Sequence, residues 1–170
     1  MGAALCAAAL LVQVQTIQAQ YGFPVGQCTV RTSPNKLLEP QCTWFVDIKA
    51  NESGRRLVFS RTWGRDARLW PELLVGIQCA NGPQVNCIAV FDSLNTPPSE
   101  TSPAGAGHVA WIESITATGF TVLHSSFAGT MVGTVNGVPI NRTTFAWVAP
   151  GYVKSVNGTT VYRIRTFIRP

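Results

Sequence analysis

Charge is scarce in this chain of 170 residues, in which charged side chains make up 12% and hydrophobic side chains 46%. That composition excludes a disordered chain and favours a packed domain. Lysine and arginine exceed aspartate and glutamate by 13 to 8, which gives a formal charge of +5. No long basic run alternates with aromatic residues. We therefore expect no nucleic-acid partner, and the mild positive charge favours a polyanionic surface.

Metal-ligating side chains are scarce as well. The chain has two histidines, His108 and His124, and no cluster of aspartate and glutamate that would complete a zinc set with them. The cysteine spacings are not those of a zinc ribbon. We therefore expect neither a metal site nor a cofactor.

Charged side chains are absent from the first 20 residues, and Ala3 to Val14 form a nearly unbroken apolar run of twelve residues. That run is too short to span a bilayer as a helix. It is typical of a secretory signal cleaved after Ala19, which predicts a signal peptide over 1–19 and a single domain over 20–170. The alternative is a buried N-terminal helix. An exported protein would be secreted, extracellular or periplasmic, without stable membrane association after removal of the signal.

Four cysteines follow the predicted signal: Cys28, Cys42, Cys79 and Cys87. An oxidising compartment permits disulfides. The turn Asn81-Gly82-Pro83 between Cys79 and Cys87 can bring these two within bonding distance, so we predict that they pair. Cys28 and Cys42 each occupy a Gln-Cys-Thr triplet, and either they bond to each other or Cys42 is free to react.

Hydrophobic spacing places helices before strands. One helix is predicted to begin near Cys42 and a second to cover about residues 64–75. From residue 87 the pattern changes to strands, with a tight turn at Asn136-Gly137 and a last strand at 161–168. Helices followed by antiparallel strands indicate an α+β domain.

Both histidines fall on one predicted hairpin. The segments HVAWIES (108–114) and FTVLHSS (120–126) flank Ala117-Thr118-Gly119, whose glycine suits a left-handed position. A three-residue turn places the even-numbered residues of both strands on one face, which brings His108 beside His124. A turn one residue longer would put them on opposite faces.

Cys42 and the two histidines supply the parts of a nucleophilic site. A thiol attacks as the thiolate, which the first turn of a helix favours. An imidazole can take the thiol's proton, and a further group can fix the tautomer of that imidazole. Cys42 as nucleophile, His108 as base and His124 as its orienting residue supply these parts in principle, and the residues alone leave a Cys28–Cys42 disulfide as the alternative. Backbone N–H groups of Cys42 and Thr43, helped by the Gln41 side chain, form the predicted oxyanion hole.

Four segments also follow one another in a characteristic order. They are PQCTWFVD (40–47), GRDARLW (64–70), GPQVNCIAVF (82–91) and GHVAWIES (107–114). Together they resemble the CHAP domain, the cysteine- and histidine-dependent amidohydrolase/peptidase of the papain-like NlpC/P60 clan. The resemblance implies N-terminal helices packed on a C-terminal antiparallel β-sheet, with Cys42 and His108 as the catalytic pair.

The chain departs from the family pattern after the second catalytic segment. Family members usually carry an acidic residue and an asparagine about where His124 and Ser126 stand. A histidine orients the base in the related NlpC/P60 peptidases, which implies that role for His124. Ser126 is the expected weaker substitute for the asparagine.

The resemblance implies hydrolysis of an amide bond in peptidoglycan through a thioester on Cys42. The enzyme is expected to be either an N-acetylmuramoyl-L-alanine amidase or a peptide endopeptidase, and to act as a monomer. The alternative is a non-catalytic exported domain of the same fold that binds the cell wall or a protein, with Cys28 and Cys42 joined in a disulfide. A weaker alternative is an amidase with a substrate outside the wall.

Overall fold

The computed structural model describes residues 37, 39–61, 66–80, 82–92, 106–127 and 129–170. The predicted signal segment and Cys28 lie outside these ranges. Helix α1 is Cys42–Glu52, a 3-10 turn spans Ala67–Leu69, and helix α2 is Trp70–Leu73. The strands are β1 (Gln78–Ala80), β2 (Ile88–Phe91), β3 (His108–Thr116), β4 (Gly119–His124), β5 (Thr130–Val135), β6 (Val138–Ala149), β7 (Tyr152–Ser155) and β8 (Val161–Arg169). Within the described ranges, no helix is long and apolar enough to cross a membrane.

Six of the strands close into an antiparallel barrel in the order β8, β2, β3, β4, β6, β7 and back to β8. The long strands β6 and β8 make closure possible, because each divides one edge between two partners. Strand β8 pairs along that edge with β7 and β1, and β6 pairs with β7 and β5. The predicted α+β, papain-like arrangement of helices packed on a sheet is therefore wrong. The described part of the chain is mostly β, with two short helices.

The second predicted helix, over residues 64–75, is the main local error. Its described part contains only the 3-10 turn and the four residues of α2, with Pro71 in the first turn. Proline is tolerated there because the N–H it lacks would have no partner in the helix. The backbone is already extended at Leu74, which forms an isolated bridge with Phe59. The apolar residues of this segment are spaced as in a helix, but they lie on a short helical turn and on the extended segment that follows it.

Helix α1 begins at Cys42, as predicted, and lies against the outside of the barrel. Residues 43–50 are all buried, so the helix is covered on more than one side. Its apolar side chains share a core with Val109, Trp111 and Leu123 from the outer face of the hairpin β3–β4. This packing sets the start of the helix beside the start of β3.

A second core fills the barrel. Ala110, Ile112 and Val122 point into it, together with Phe120 and Phe145. Strand β2 serves both cores and is buried along its whole length. A strand covered on both faces has no polar alternation, which explains its continuous apolar sequence.

The hairpin β3–β4 places even-numbered residues of both strands on the inner face, as predicted, but by a different route. Thr116 pairs with Gly119, so the turn has two residues rather than three. A bulge at Glu113, between the pairs Ile112–Val122 and Ser114–Thr121, restores the parity. A Cβ at Gly119 would lie 1.8 Å from the Phe145 carbonyl oxygen. Close approach of β6, and not a left-handed turn, therefore requires that glycine.

Candidate active site

The segment before α1 is fastened to the end of β4. The Ser125 hydroxyl donates to the Gln41 carbonyl oxygen at 2.9 Å, and the Ser126 hydroxyl donates to the Pro40 carbonyl oxygen at 2.5 Å. These bonds join the residues just after His124 to the residues just before Cys42. Ser126, which was predicted as a supporting residue of the site, thus bonds the segment that precedes Cys42.

Cys42 carries a free, partly exposed thiol at the first position of α1. Burial raises the pKa of this thiol, while the backbone N–H groups of Val109, Thr43 and Cys42 itself lower it by less. The expectation that the helix start produces a thiolate is therefore wrong in its net direction. The same contacts place the sulfur beside Val109, the residue that follows His108 on β3.

His108 and His124 are neighbours inside the barrel. Their ring centroids are 5.3 Å apart and their planes make an angle of 82°. Burial, reinforced by proximity to the other imidazole, lowers the pKa of His108 well below its usual 6.5. Burial lowers the pKa of His124 to about 4. Both rings are therefore neutral at neutral pH, and a neutral imidazole can accept a proton.

The hydrogen bonds of the two rings are incomplete. His124 Nε2 lies 2.9 Å from the Thr143 hydroxyl oxygen. His108 Nε2 and His124 Nδ1 are buried and have no partner among the described residues. Such orphaned groups are rare in folded proteins. Nδ1 of His108 is not among these orphaned nitrogens.

Two residues at this end of the barrel were missed by the sequence analysis. The Phe127 ring packs against His108 and His124, with centroid separations of 5.5 and 5.3 Å. Thr143, on β6, bonds His124. Both line a cavity of about 660 Å³ that reaches Tyr162 and the turn between β7 and β8. No local motif marks either residue. Thr143 reaches His124 through the pairing of β6 with β4, and Phe127 follows His124 closely in the chain.

The predicted supporting residues Thr43 and Gln41 differ in how the structure places them. Thr43 is buried, and its N–H faces the Cys42 sulfur. Gln41 is exposed, and its side chain makes no capping hydrogen bond to α1. Glu113 accepts two hydrogen bonds from Arg142 at 2.6 and 2.7 Å. The oxyanion role of Gln41 stays a prediction.

Cys87 is a second free thiol and is fully buried. The side chain of Cys79 lies outside the described part of the structure, so the predicted Cys79–Cys87 disulfide is not confirmed. Across the described ranges, no group of three or more histidine, cysteine, aspartate or glutamate side chains is placed to hold a metal ion.

Comparison with known proteins bears on this geometry. No curated protein matches the chain at a significant level. A family model described as the CHAP domain matches residues 32–126, more than half of the chain. The matched segment runs from before Cys42 to beyond His124, so it contains the thiol, both imidazoles and the serines that fasten α1. The chain therefore belongs to the CHAP domain family.

Proposed function

We propose that this CHAP domain is a peptidoglycan hydrolase that cleaves an amide bond by nucleophilic attack from Cys42. The observation that carries the proposal is the meeting of three elements. The start of α1 places the Cys42 sulfur against the N–H of Val109. The preceding residue, His108, has a neutral ring with one buried, unpartnered nitrogen. His124 packs on that ring.

The reaction begins from a neutral thiol beside a neutral imidazole. As the sulfur attacks the amide carbonyl carbon, His108 takes the thiol's proton. The carbonyl oxygen becomes an oxyanion, for which the N–H groups of Cys42 and Thr43 are the nearest donors. His108 then gives its proton to the departing amine, which leaves a thioester on Cys42. Water, deprotonated by His108, hydrolyses the thioester and restores the thiol.

The electrostatics of the pair decide when the proton moves. Burial raises the pKa of Cys42 and lowers the pKa of His108, so the resting state is not a thiolate–imidazolium pair. Proton transfer therefore accompanies attack. The proposed enzyme resembles a serine hydrolase in this respect, because those enzymes also begin from a neutral nucleophile and a neutral base.

The family and the charge of the chain support the choice of substrate. The CHAP family is hydrolytic and directed at peptidoglycan, and a formal charge of +5 favours an anionic matrix. The apolar N-terminal run supports action outside the cytoplasm, and we place the enzyme there as a monomer. The scissile bond is either the N-acetylmuramoyl-L-alanine amide or a peptide bond of the stem or bridge.

The test is digestion of purified sacculi with mass analysis of the released fragments. The new amine identifies the bond cleaved. Cys42→Ala should release nothing, whereas Cys87→Ala should release the same fragments as the parent chain. Equal release by the parent chain and Cys42→Ala would overturn the nucleophile. Alkylation of the exported, unreduced protein followed by peptide mapping tests the alternative, since a Cys28–Cys42 crosslink would favour a non-catalytic wall-binding domain.

A further inference from the structure

We propose that Thr143 is a positioning residue that holds His124 in one tautomer and thereby leaves Nδ1 of His108 free to accept the thiol's proton. The inference rests on the proposed function for its consequence in catalysis. The tautomer itself can be measured without any turnover, so the two can fail separately.

Thr143 is placed for this purpose by the barrel. It lies on β6 opposite Val122 of β4, and its side chain is buried on the inner face. Its hydroxyl oxygen is 2.9 Å from His124 Nε2. The backbone of Ser125 also acts on the His124 ring, whereas Thr143 supplies a side-chain hydrogen bond to it. Thr143 is therefore a side chain that can bias which nitrogen of His124 carries the hydrogen.

The direction of this bond follows from what the base requires. His108 accepts the thiol's proton on Nδ1 only if that nitrogen carries a lone pair, so its own hydrogen must lie on the buried Nε2. The other unpartnered nitrogen of the two rings is His124 Nδ1. Because the rings are neighbours, a lone pair on this nitrogen is compatible with a hydrogen on His108 Nε2. The hydrogen of His124 must then lie on Nε2 and be donated to the Thr143 oxygen.

Packing fixes the position of the hydroxyl. A Cβ added at Gly129 would lie 2.5 Å from the Thr143 hydroxyl oxygen and 2.8 Å from the Arg142 carbonyl oxygen. The backbone at residue 129 thus lies close to the Thr143 hydroxyl. Glycine at 129 lets the chain cover Thr143 without displacing it.

The experiment uses ¹⁵N-histidine-labelled full-length protein. The chain has two histidines, so four ring nitrogens report the tautomers, and His124→Gln assigns them. In the parent chain we expect both rings to carry hydrogen on Nε2. Thr143→Val keeps the shape of the side chain but cannot accept, so the His124 signals should shift toward the Nδ1–H form. Thr143→Ser should retain the parent pattern.

Activity provides the second readout. Thr143→Val should lower kcat by roughly tenfold to a hundredfold, the loss expected for one buried hydrogen bond, and leave KM unchanged. Thr144→Val is the matched control, because Thr144 is the next residue on β6 and its hydroxyl pairs with Thr121 at 3.0 Å, away from the histidines. The control should leave the tautomers and kcat unchanged.

Either of two results overturns the proposal. The first is an Nδ1–H form of His124 in the parent chain, which needs no variant and no folding control. The second is an unchanged Nε2–H form in folded Thr143→Val. If sacculi are not cleaved by the parent chain but the tautomers respond as expected, the proposed function fails and the positioning role of Thr143 stands.

Discussion

The surroundings of Cys42 and Cys87, the two free thiols of the described structure, differ in one respect that matters for chemistry. Burial raises the pKa of both. Cys42 has backbone N–H groups around its sulfur, and one of them belongs to Val109, the residue after His108. Cys87 has the charges of Arg55 and Arg169, which lower its pKa by less than burial raises it, and contacts Gln84 at 4.0 Å.

The comparison shows that a shifted pKa does not identify a nucleophile here. Both thiols are neutral, so neither is activated at rest. What separates them is a neighbouring group that can remove the proton as the bond forms, together with donors for the oxyanion. The proposed reaction assigns both to Cys42, through His108 and the N–H groups at the start of α1. The predictions below test whether that difference is sufficient, beginning with the largest expected effect.

The largest effect is expected from the nucleophile itself. Cys42→Ala should reduce wall lysis by at least about 10⁴-fold, as removal of a covalent nucleophile does elsewhere. Cys87→Ala should stay within about twofold, because that sulfur has no role in the proposed reaction. Loss of turbidity of sacculi measures both. Comparable losses in the two variants would remove the distinction between the thiols.

The second largest effect is expected from removal of the proposed base, His108, which should affect Cys42 and not Cys87. His108→Gln should lower kcat by about 10²-fold or more, which is typical of removal of a general base. It should also slow alkylation of Cys42 at pH 7, measured by peptide mass mapping with time. Cys87 is buried, so it should stay protected from alkylation in both proteins, which checks that the variant is folded. Equal rates for Cys42 with and without His108 would contradict its assignment as base.

The helix start at Cys42 and the shared face of the histidines were predictable, because both depend on patterns a few residues long. The two histidines share a face for a reason that no local pattern shows. The turn has two residues instead of three, and a bulge at Glu113 compensates for the difference. Barrel closure was not predictable, because it depends on β7, a strand of four residues that bridges two long ones. Sequence alternation reports which face a residue occupies but not which distant strand lies beside it.

The same limit applies to the site. Cys42 and His108 lie in motifs of their own, whereas Thr143 reaches His124 only through the pairing of β4 with β6. The thiol pKa was misjudged for a related reason. The helix start is visible in the sequence, but the burial that outweighs it comes from the barrel.

Acid should lower the free energy of unfolding through the buried His124. His124 has a pKa of about 4 in the folded protein and about 6.5 when unfolded. Between these values the unfolded chain binds more protons, so the free energy of unfolding falls as pH falls, and the loss is complete below pH 4. The shift corresponds to about 3 kcal/mol in total, of which about 2 kcal/mol is lost between pH 7 and pH 5.

Urea unfolding at both pH values measures that loss. His124→Gln should flatten the difference by about 2 kcal/mol, whereas Cys87→Ala should leave it unchanged, since a thiol with a raised pKa does not titrate in this window. A difference that His124→Gln leaves intact would mean that His124 is protonated alike in both states.

The smallest expected effect is on the free energy of unfolding, for which Cys87 should matter more than Cys42. Cys87 is 1% exposed within the barrel core, so Cys87→Ala should lower the free energy of unfolding by about 1 kcal/mol through loss of the buried sulfur. Cys42→Ala should leave it unchanged or raise it slightly, because a reactive site is rarely optimised for stability. Urea midpoints at pH 7 with unchanged slopes measure both. A larger loss for Cys42→Ala than for Cys87→Ala would assign Cys42 to the core rather than to the site.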